Sequence, residues 1–262
     1  MKIVVCIKQV PDTSEVKLDS KTGRLMREGV PSIINPDDKS GIEAALRIKE
    51  ETGGSVAVVS MGPPQADFAL REALAMGCDE AYLITAKEFA GSDTFATAKI
   101  LAGALGKIGF DLIITGRQAI DGDTAQVGPQ IAENLNIPQV SYVEDIEVNG
   151  CALTVKRQFE DRYHILEVKT PCLLTALSEL APPRYMHVRG TVEAYEKEVQ
   201  TLGFEDLAGT FDPSCIGLAG SPTSVYKSFG KKPKGAGEMH KNLSADEAVS
   251  LIISKMAERH II

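Results

Sequence analysis

The residues best suited to chemistry lie in one stretch near the middle of the chain, residues 111 to 135. It opens with Leu112-Ile113-Ile114, an apolar run typical of a strand buried on both faces. A polar loop follows, and Val127, Ile131 and Leu135 then recur every four residues, as on one face of a helix. A strand, a glycine-bearing loop and a helix start direct backbone N–H groups and the positive helix dipole at an anion. The stretch therefore predicts a phosphate-binding loop, and nucleotides are the usual ligands of such loops.

The loop differs from the two best-known phosphate-binding motifs, since neither G-x-G-x-x-G nor G-x-x-x-x-G-K-[ST] is present. Asp121 and Asp123 are unfavourable neighbours for phosphate, so we expect them to face backbone donors or ribose hydroxyls, with Arg117 offsetting their charge. Asp123 or Thr124 is the expected N-cap of the following helix. The N–H groups of residues 123 to 127 are the predicted phosphate ligands. Chemistry alone leaves open an ordinary strand-to-helix loop without a ligand.

Strands and helices alternate in the first half of the chain. Predicted strands lie at 3–7, 56–60, 81–84 and 112–114. The first predicted helix starts within 35–38 and ends at Gly53-Gly54, two more lie at 65–76 and 94–108, and the fourth follows a cap at Asp123 or Thr124 and stops at Asn136-Ile137-Pro138. This pattern predicts an α/β fold with an open, mostly parallel, doubly wound sheet. Ligands of such sheets bind beyond the carboxyl ends of the strands. We therefore expect four segments to meet at one rim, namely 6–9, 35–38, 60–62 and 115–127.

The second half has a different character. A turn at Asn149-Gly150 predicts a β-hairpin, and the whole insertion covers residues 140–170. Ser244 and Glu247 form a capping-box pattern in front of an amphipathic helix at 246–258. We therefore expect three parts: a nucleotide-binding α/β domain at 1–181 that includes the hairpin, an appended segment at 182–208, and an extended C-terminal arm at 209–262 that ends in the helix.

Composition excludes several classes of function. The net charge of −8 over 262 residues argues against nucleic acid as a partner. The five scattered cysteines lack a C-x-x-C pair, which argues against a disulfide framework, a zinc site or an iron–sulfur cluster. No signal peptide and no apolar run of about 20 residues is present. We expect a cytoplasmic protein without a metal site, a membrane insertion or a catalytic acid–base pair of its own.

The loop from Gly116 to Gly128 resembles the nucleotide-binding segment of electron transfer flavoprotein β subunits. Other segments resemble the same family, and together they cover nearly the whole chain. They are Ile7-Lys8-Gln9-Val10, Asn35-Pro36-Asp37-Asp38, Ser60-Met61-Gly62-Pro63, Val155-Lys156-Arg157 with Glu160-Asp161, Pro171-Cys172-Leu173-Leu174-Thr175, and Pro182-Pro183-Arg184-Tyr185-Met186. Arg162 and His164 depart from the family pattern, and we expect His164 to be a surface residue.

The resemblance also implies which residues hold the cofactor. The adenosine end is implied to lie among Cys6, Asn35, Asp38 and Met61, together with the loop. The loop residues implied to bind the cofactor are Gly116, Arg117, Gln118, Ala119, Ile120, Asp121, Gly122, Asp123, Thr124, Ala125, Gln126 and Val127.

The family implies a heterodimer with an α subunit, onto which the C-terminal arm docks, and a loop after residue 186 that recognises partner dehydrogenases. Housekeeping members hold AMP in the crevice as a structural nucleotide. Members from anaerobes hold a second FAD instead, which accepts hydride from NADH. They send one electron to ferredoxin or flavodoxin and the other, through the α-subunit FAD, to an acyl-CoA dehydrogenase.

Three features favour the second type. Ala125-Gln126-Val127 stands where AMP-type members carry Asn-Gln-Thr, and small residues at 122 and 125 leave room for a pyrophosphate. The opening from Cys6 to Thr13 also resembles the anaerobe type. We therefore expect FAD, with AMP as the alternative, and NADH oxidation only by the heterodimer.

Two other classes of function remain as alternatives. A stand-alone adenine-nucleotide sensor of similar α/β layout would need neither the arm nor the final apolar helix. A free-standing NAD-dependent dehydrogenase would be expected to carry G-x-G-x-x-G and an acid–base pair, and the sequence has no convincing example of either.

Overall fold

A nine-stranded sheet runs through the first of two units, Met1–Lys227, and the second unit is Ser228–Ile262. The computed structural model describes residues 1–12, 17–18, 25–26, 31–224, 235 and 237–262. The strands are β1 Lys2–Cys6, β2 Gln9–Pro11, β3 Lys17–Leu18, β4 Leu25–Met26, β5 Ser32–Ile34, β6 Ser55–Met61, β7 Glu80–Ile84, β8 Leu112–Gly116, β9 Gln139–Asn149, β10 Ala152–Gln158, β11 Tyr163–Lys169, β12 Cys172–Ala176 and β13 Val199–Leu202. The helices are α1 Pro36–Thr52, α2 Asp67–Met76, α3 Thr94–Ile108, α4 Val127–Leu135, α5 Val188–Glu196, α6 Gly217–Gly220 and α7 Ala245–Glu258.

The order of strands across the sheet is β11-β10-β9-β12-β8-β1-β6-β7-β13. All neighbours are parallel except β10, which is antiparallel to both β9 and β11. The chain leaves β1 toward β6 and β7, and then returns to β8 on the other side of β1. The strand order therefore reverses between β1 and β8. This confirms the predicted α/β fold with a mostly parallel, doubly wound sheet.

Alternate residues of the central strands face two separate core layers. Ile3 and Val5 pack in the layer that contains α1 and α2, whereas Val4 packs in the layer that contains α3 and α4. All three are fully buried. Burial of one such side chain contributes about 1.5–3 kcal/mol to the free energy of folding. Because many of them pack together here, the centre of the sheet is the rigid part of the fold. The loops at its rim are held by polar contacts instead.

The ends of the helices follow from local chemistry. Pro36 occupies the first turn of α1, where an N–H group would have no acceptor within the helix, so proline costs no hydrogen bond there. Gly53 ends the helix with a left-handed φ of 72°. Asp93 caps α3 by accepting a hydrogen bond from the Ala96 N–H at 3.1 Å. These signals explain why the predicted bounds of α1 and α3 agree with the structure.

The hairpin lies where it was predicted, but its turn does not. Asn149 pairs with Ala152, so the two loop residues are Gly150 and Cys151. Gly150 has a φ of 66°, a left-handed conformation that favours glycine at the first loop position. The turn is therefore one residue later than predicted, and Asn149 belongs to the strand.

Two elements after residue 181 were not identified in the sequence. Strand β13 pairs in parallel with β7 and forms one edge of the sheet, and α5 buries Ala194 in the core layer of α2. Leu207 and Ile216 are also buried, in the layer of α3 and α4. The first unit thus continues past residues 182 and 209, where appended segments were expected to begin. Strand β13 shows little alternation between buried and exposed residues, because its two ends are only half-buried.

The second unit contains α7, and the predicted capping box is present. The Ser244 N–H donates to the Glu247 carboxylate at 2.8 Å, and the Ser244 hydroxyl accepts from the Glu247 N–H. Val249, Ile252 and Ile253 are at least half exposed. Residues 225–234 and 236 of the predicted arm lie outside the described residues. Within the described part of the chain, no helix has the length and apolarity that a membrane span requires.

The segment after β12 runs along α1 and is attached to it by polar contacts. Arg184 donates to the buried Glu43 carboxylate through its backbone N–H and its Nε, at 3.2 Å and 2.8 Å. Its Nη1 donates to Glu50 at 2.6 Å. Burial raises the pKa of Glu43, but hydrogen bonds from Arg184 and Arg47 outweigh this effect and hold it below the ordinary value. Glu43 is therefore ionised and paired in the folded protein.

The replacement Arg184→Ala tests this attachment. It removes the main partner of a buried carboxylate, so we expect the free energy of unfolding at neutral pH to fall by about 1–3 kcal/mol, measured by urea denaturation. Arg162→Ala is the matched control and should leave the urea midpoint unchanged, because the Arg162 side chain pairs, among the residues that the structure describes, only with the exposed Asp161.

The pH dependence of this difference identifies its cause. A carboxylate with a lowered folded-state pKa contributes stability that is present above its unfolded pKa of about 4.3 and is lost as the pH falls through the folded value. The gap between wild type and Arg184→Ala should therefore narrow as denaturation is repeated at falling pH. A gap that stays constant down to about pH 3 would show that the Glu43 charge is not responsible.

Candidate functional site

The candidate site lies at the point where the strand order of the sheet reverses. β1 and β8 are neighbours there, and Cys6 is in register with Thr115 at their carboxyl ends. Such reversal points open a crevice in which ligands of doubly wound sheets bind. The loop after β1, the start of α1 and the loop after β8 meet at this point, so three of the four predicted segments contact one another.

The buried Asp38 carboxylate connects these three segments. It accepts hydrogen bonds from the Lys8 N–H at 2.7 Å, the Gly116 N–H at 3.0 Å and the Asn35 side-chain amide at 3.0 Å. Gly116 permits this close approach, because a Cβ at position 116 would collide with the Asp38 carboxylate. Both residues were predicted to bind the cofactor. In the structure they bind each other and hold the loop after β8 against α1.

Asn35 fixes the course of the loop after β8. It is fully buried, and its amide donates to the Gln118 carbonyl at 2.8 Å while its side-chain oxygen accepts from the Ile120 N–H at 3.0 Å. Its own N–H donates to the Lys8 carbonyl at 2.9 Å. One side chain thus joins the first loop, the first helix and the predicted cofactor loop.

Burial determines the protonation of this region. Desolvation raises the pKa of Asp38 to about 7, although the three hydrogen bonds act in the opposite direction. Burial, with a contribution from the Asp38 charge, raises the pKa of Cys6 to about 12. Cys6 therefore stays a neutral thiol at physiological pH and contributes an apolar wall rather than a nucleophile.

The expected role of Arg117 is wrong. Arg117 does not offset the charges of Asp121 and Asp123, because its N–H donates to the Ala176 carbonyl and its Nε lies 3.4 Å from Asp37. This places it at the start of the loop, beside α1. Lys8 pairs with Asp121 instead, through two contacts of 2.7 Å and 2.8 Å.

The expected cap of α4 is also wrong. Its N-cap is Gln126, without a side-chain cap, rather than Asp123 or Thr124. Asp123 and Ala125 adopt left-handed φ values of 48° and 52°, so the loop makes a bend before the helix begins at Val127. The Asp123 carboxylate accepts from the Gln118 side chain at 3.0 Å. Non-glycine residues in this conformation cost of order 1–3 kcal/mol each, and such strain is concentrated at functional sites.

The N–H groups of this bend are the free donors of the site. The Asp123 N–H is already bonded to the Ala119 carbonyl at 2.9 Å, so it is not the phosphate ligand that we expected. In the described part of the chain, the N–H groups of Thr124, Ala125 and Gln126 have no protein acceptor. They lie immediately before α4, where its dipole is positive. An anion is the natural partner for them.

The remaining predicted residues border the site. Met61 is half-buried at the end of β6, next to β1, and a Cβ at Gly122 would meet no atom of the described residues within 4 Å. Thr94, which was not identified in the sequence, donates to the Gln126 side chain at 2.9 Å. Asp37 lies in the predicted rim segment 35–38, although it was not among the predicted cofactor-binding residues. Their signal was positional, because both lie in the first turn of a helix at this rim.

His164 is exposed, as predicted, and its ring centroid lies 4.5 Å from that of Phe159. Cys6, Cys78 and Cys172 are buried free thiols, again as expected from the apolar runs that contain them.

Comparison with known proteins adds a family and several relatives. The family model described as electron transfer flavoprotein domain matches residues 22–207. The chain is 55% identical over 263 residues to an electron transfer flavoprotein subunit beta from Thermoanaerobacterium thermosaccharolyticum. It is 52% identical over 264 residues to the caffeyl-CoA reductase-Etf complex subunit CarD from Acetobacterium woodii, and 48% identical over 268 residues to the acryloyl-CoA reductase electron transfer subunit gamma from Anaerotignum propionicum. Each match covers 100% of both chains.

The replacement Asn35→Ala tests whether one side chain holds the site together. It leaves the Ile120 N–H and the Gln118 carbonyl unpaired, and each buried group left unpaired costs about 1–3 kcal/mol. We expect a lower free energy of unfolding and faster hydrogen exchange at Ile120. Asn134→Ala is the control, because Asn134 is exposed, and its two side-chain contacts, to the Gln130 carbonyl at 2.7 Å and from the Lys99 amine at 3.4 Å, lie away from the loop. Equal effects of the two replacements would contradict the role of Asn35.

Proposed function

This chain belongs to the electron transfer flavoprotein family, among its β subunits, and we propose that it binds FAD in the crevice beyond β1 and β8. When bound, FAD would supply the redox chemistry, namely hydride acceptance from NADH and single-electron transfer to a low-potential acceptor and to the α-subunit FAD. The protein residues bind and orient the cofactor. Hydride transfer would occur only in the heterodimer with the α subunit.

The observation that supports this proposal most directly is the set of free N–H groups at Thr124, Ala125 and Gln126. Donors of this kind, in front of a helix, bind phosphate without a positively charged side chain. Lys8 neutralises Asp121, which removes one of the negative charges from the vicinity of the phosphates. The loop therefore suits the pyrophosphate of a dinucleotide.

The adenosine end is assigned to the inner part of the crevice, near Cys6, Asn35, Asp38 and Met61. Asn35 and Asp38 have most of their polar atoms engaged in holding the loop, so their contribution is the shape of the pocket. Open space beside Gly122 favours FAD over AMP, because a longer cofactor needs an unobstructed path outward. AMP, as in a housekeeping β subunit, is the alternative outcome.

The proposed partners follow from the relatives and from the surface. One relative is named as a subunit of a caffeyl-CoA reductase-Etf complex and another as an electron transfer subunit of acryloyl-CoA reductase, so we assign an acyl-CoA dehydrogenase or reductase as one partner. The segment after Arg184 suits such a contact, since Tyr185 and Val188 are 95% and 85% exposed. Helix α7 is assigned to the α subunit, and ferredoxin or flavodoxin is the proposed low-potential acceptor.

The cofactor content of the purified heterodimer tests the proposal. We expect two FAD per heterodimer and loss of flavin absorbance when NADH is added without oxygen. One FAD and one AMP, with no absorbance change on NADH addition, would exclude NADH oxidation and leave the housekeeping function. A monomer that binds ATP without any α subunit would instead favour the nucleotide sensor.

Gly122→Val tests the position of the cofactor. The valine side chain would enter space that is free of protein atoms, so we expect the fold to be unchanged and the β-bound nucleotide to be lost. Gly106→Val is the matched control, because a Cβ at position 106 also meets no atom within 4 Å and lies in α3, away from the loop. Full nucleotide content in the Gly122→Val heterodimer would place the cofactor elsewhere.

A further inference from the structure

Helix α1 carries a row of acceptors that bind the chain after β12 at matching intervals. The Ser40 hydroxyl accepts from the Ala181 N–H at 3.0 Å, and Glu43 accepts from the Arg184 N–H at 3.2 Å. Asp37 lies one turn earlier on the same face of α1. Residues three apart lie on one face of a helix, and here the partner segment advances by three residues per contact as well. We call Asp37, Ser40 and Glu43 the α1 rail.

The rail begins at the proposed nucleotide loop. Asp37 lies 3.4 Å from Arg117, the first residue after β8, and its buried Oδ2 has no hydrogen-bond partner among the described residues. The next residue, Asp38, accepts from the Gly116 N–H. The α1 rail is therefore rigidly connected to the carboxyl end of β8.

The rail ends where a surface of exposed apolar side chains begins. Arg184 is held by both Glu43 and Glu50, so the chain leaves α1 from a fixed point. The apolar surface that follows consists of Tyr185 at 95% exposure, Met186 at 45%, Val188 at 85%, Val192 at 59% and Tyr195 at 64%. Helix α5 has only Ala194 buried, so most of its side chains are left to solvent or to a partner.

We propose that Ser40 and Glu43 are positioning residues for electron exchange with the partner dehydrogenase. They fix the apolar surface relative to the nucleotide loop before the partner arrives. A surface that is ordered in advance loses less conformational entropy on docking, and therefore binds more tightly at equal contact area. This inference rests on the proposed partner, although not on the choice between FAD and AMP.

The expected effect is on docking rather than on chemistry. Ser40→Ala removes the acceptor of the Ala181 N–H without touching the apolar surface or the cofactor loop. We expect the KM of an acyl-CoA dehydrogenase for the heterodimer to rise on the order of fivefold, with kcat little changed, since a hydrogen bond of this kind is worth roughly that factor. The dehydrogenase used is one that reduces the wild-type heterodimer. Ser214→Ala is the control, because the Ser214 hydroxyl is exposed and bonds only locally, to Asp212 and beside Cys215.

Variants of Glu43 separate positioning from simple loss of stability. Glu43→Gln keeps an acceptor for the Arg184 N–H, so its KM should rise less than that of Glu43→Ala. Amide hydrogen exchange at Ala181 and Arg184 should increase in parallel with KM. Faster exchange at these amides with an unchanged KM would overturn the proposal and leave the rail a structural feature.

The outcomes distinguish this inference from the proposed function. If the heterodimer holds AMP and does not respond to NADH, the FAD assignment fails, yet the KM comparison remains valid because the α-subunit flavin still exchanges electrons. If NADH bleaches the flavin in wild type and Ser40→Ala alike and KM does not differ, only the positioning role fails. A wild-type heterodimer that no acyl-CoA dehydrogenase reduces would contradict both the partner and the positioning role.

Discussion

The buried carboxylate of Asp38 is the contact on which the candidate site depends. A carboxyl group removed from water needs hydrogen-bond partners in place of its hydration, and here the donors come from Lys8, Asn35 and Gly116. They belong to three segments that are far apart in sequence. None of these segments can shift without breaking one of the hydrogen bonds to the carboxylate. A polar centre thus fixes the rim of the sheet, where the apolar core does not reach.

This arrangement explains how the cofactor loop tolerates an unfavourable backbone. Asn35 fixes the first part of the loop through hydrogen bonds to Gln118 and Ile120. The strained residues Asp123 and Ala125 therefore follow a segment that is already held in place. The strain points the N–H groups of residues 124–126 away from other protein acceptors. Backbone strain that is maintained by hydrogen bonds from other segments, and that leaves N–H donors unpaired, is characteristic of a ligand-binding loop rather than of a simple connection between a strand and a helix.

The sequence predicted the parts of the structure that depend on local periodicity. The central strands, α3 and α4 have apolar spacings that few other structures satisfy. The rim rule then located the segments 35–38 and 115–127, and the family resemblance singled out Asn35, Asp38 and Gly116 within them. The pairing of Lys8 with Asp121 could not be predicted, since these residues are 113 positions apart and several acidic partners were equally plausible. The left-handed Asp123 and Ala125 were missed for another reason, because neither position is a glycine. Strand β13 was missed because it is four residues long and half-exposed.

Helix α1 sets the distance between the cofactor loop and the segment at Arg184. Its apolar side packs Ile42 and Leu46 into the core, so the helix cannot rotate about its axis. At its N-terminal end, Asn35 and Asp38 bind the cofactor loop, and further along its polar side Glu43 binds the segment at Arg184. Because a packed helix is rigid over this length, the distance between the cofactor loop and the segment at Arg184 is set by the helix itself. Two surfaces with separate proposed tasks are therefore held in one fixed relation by the same buried face.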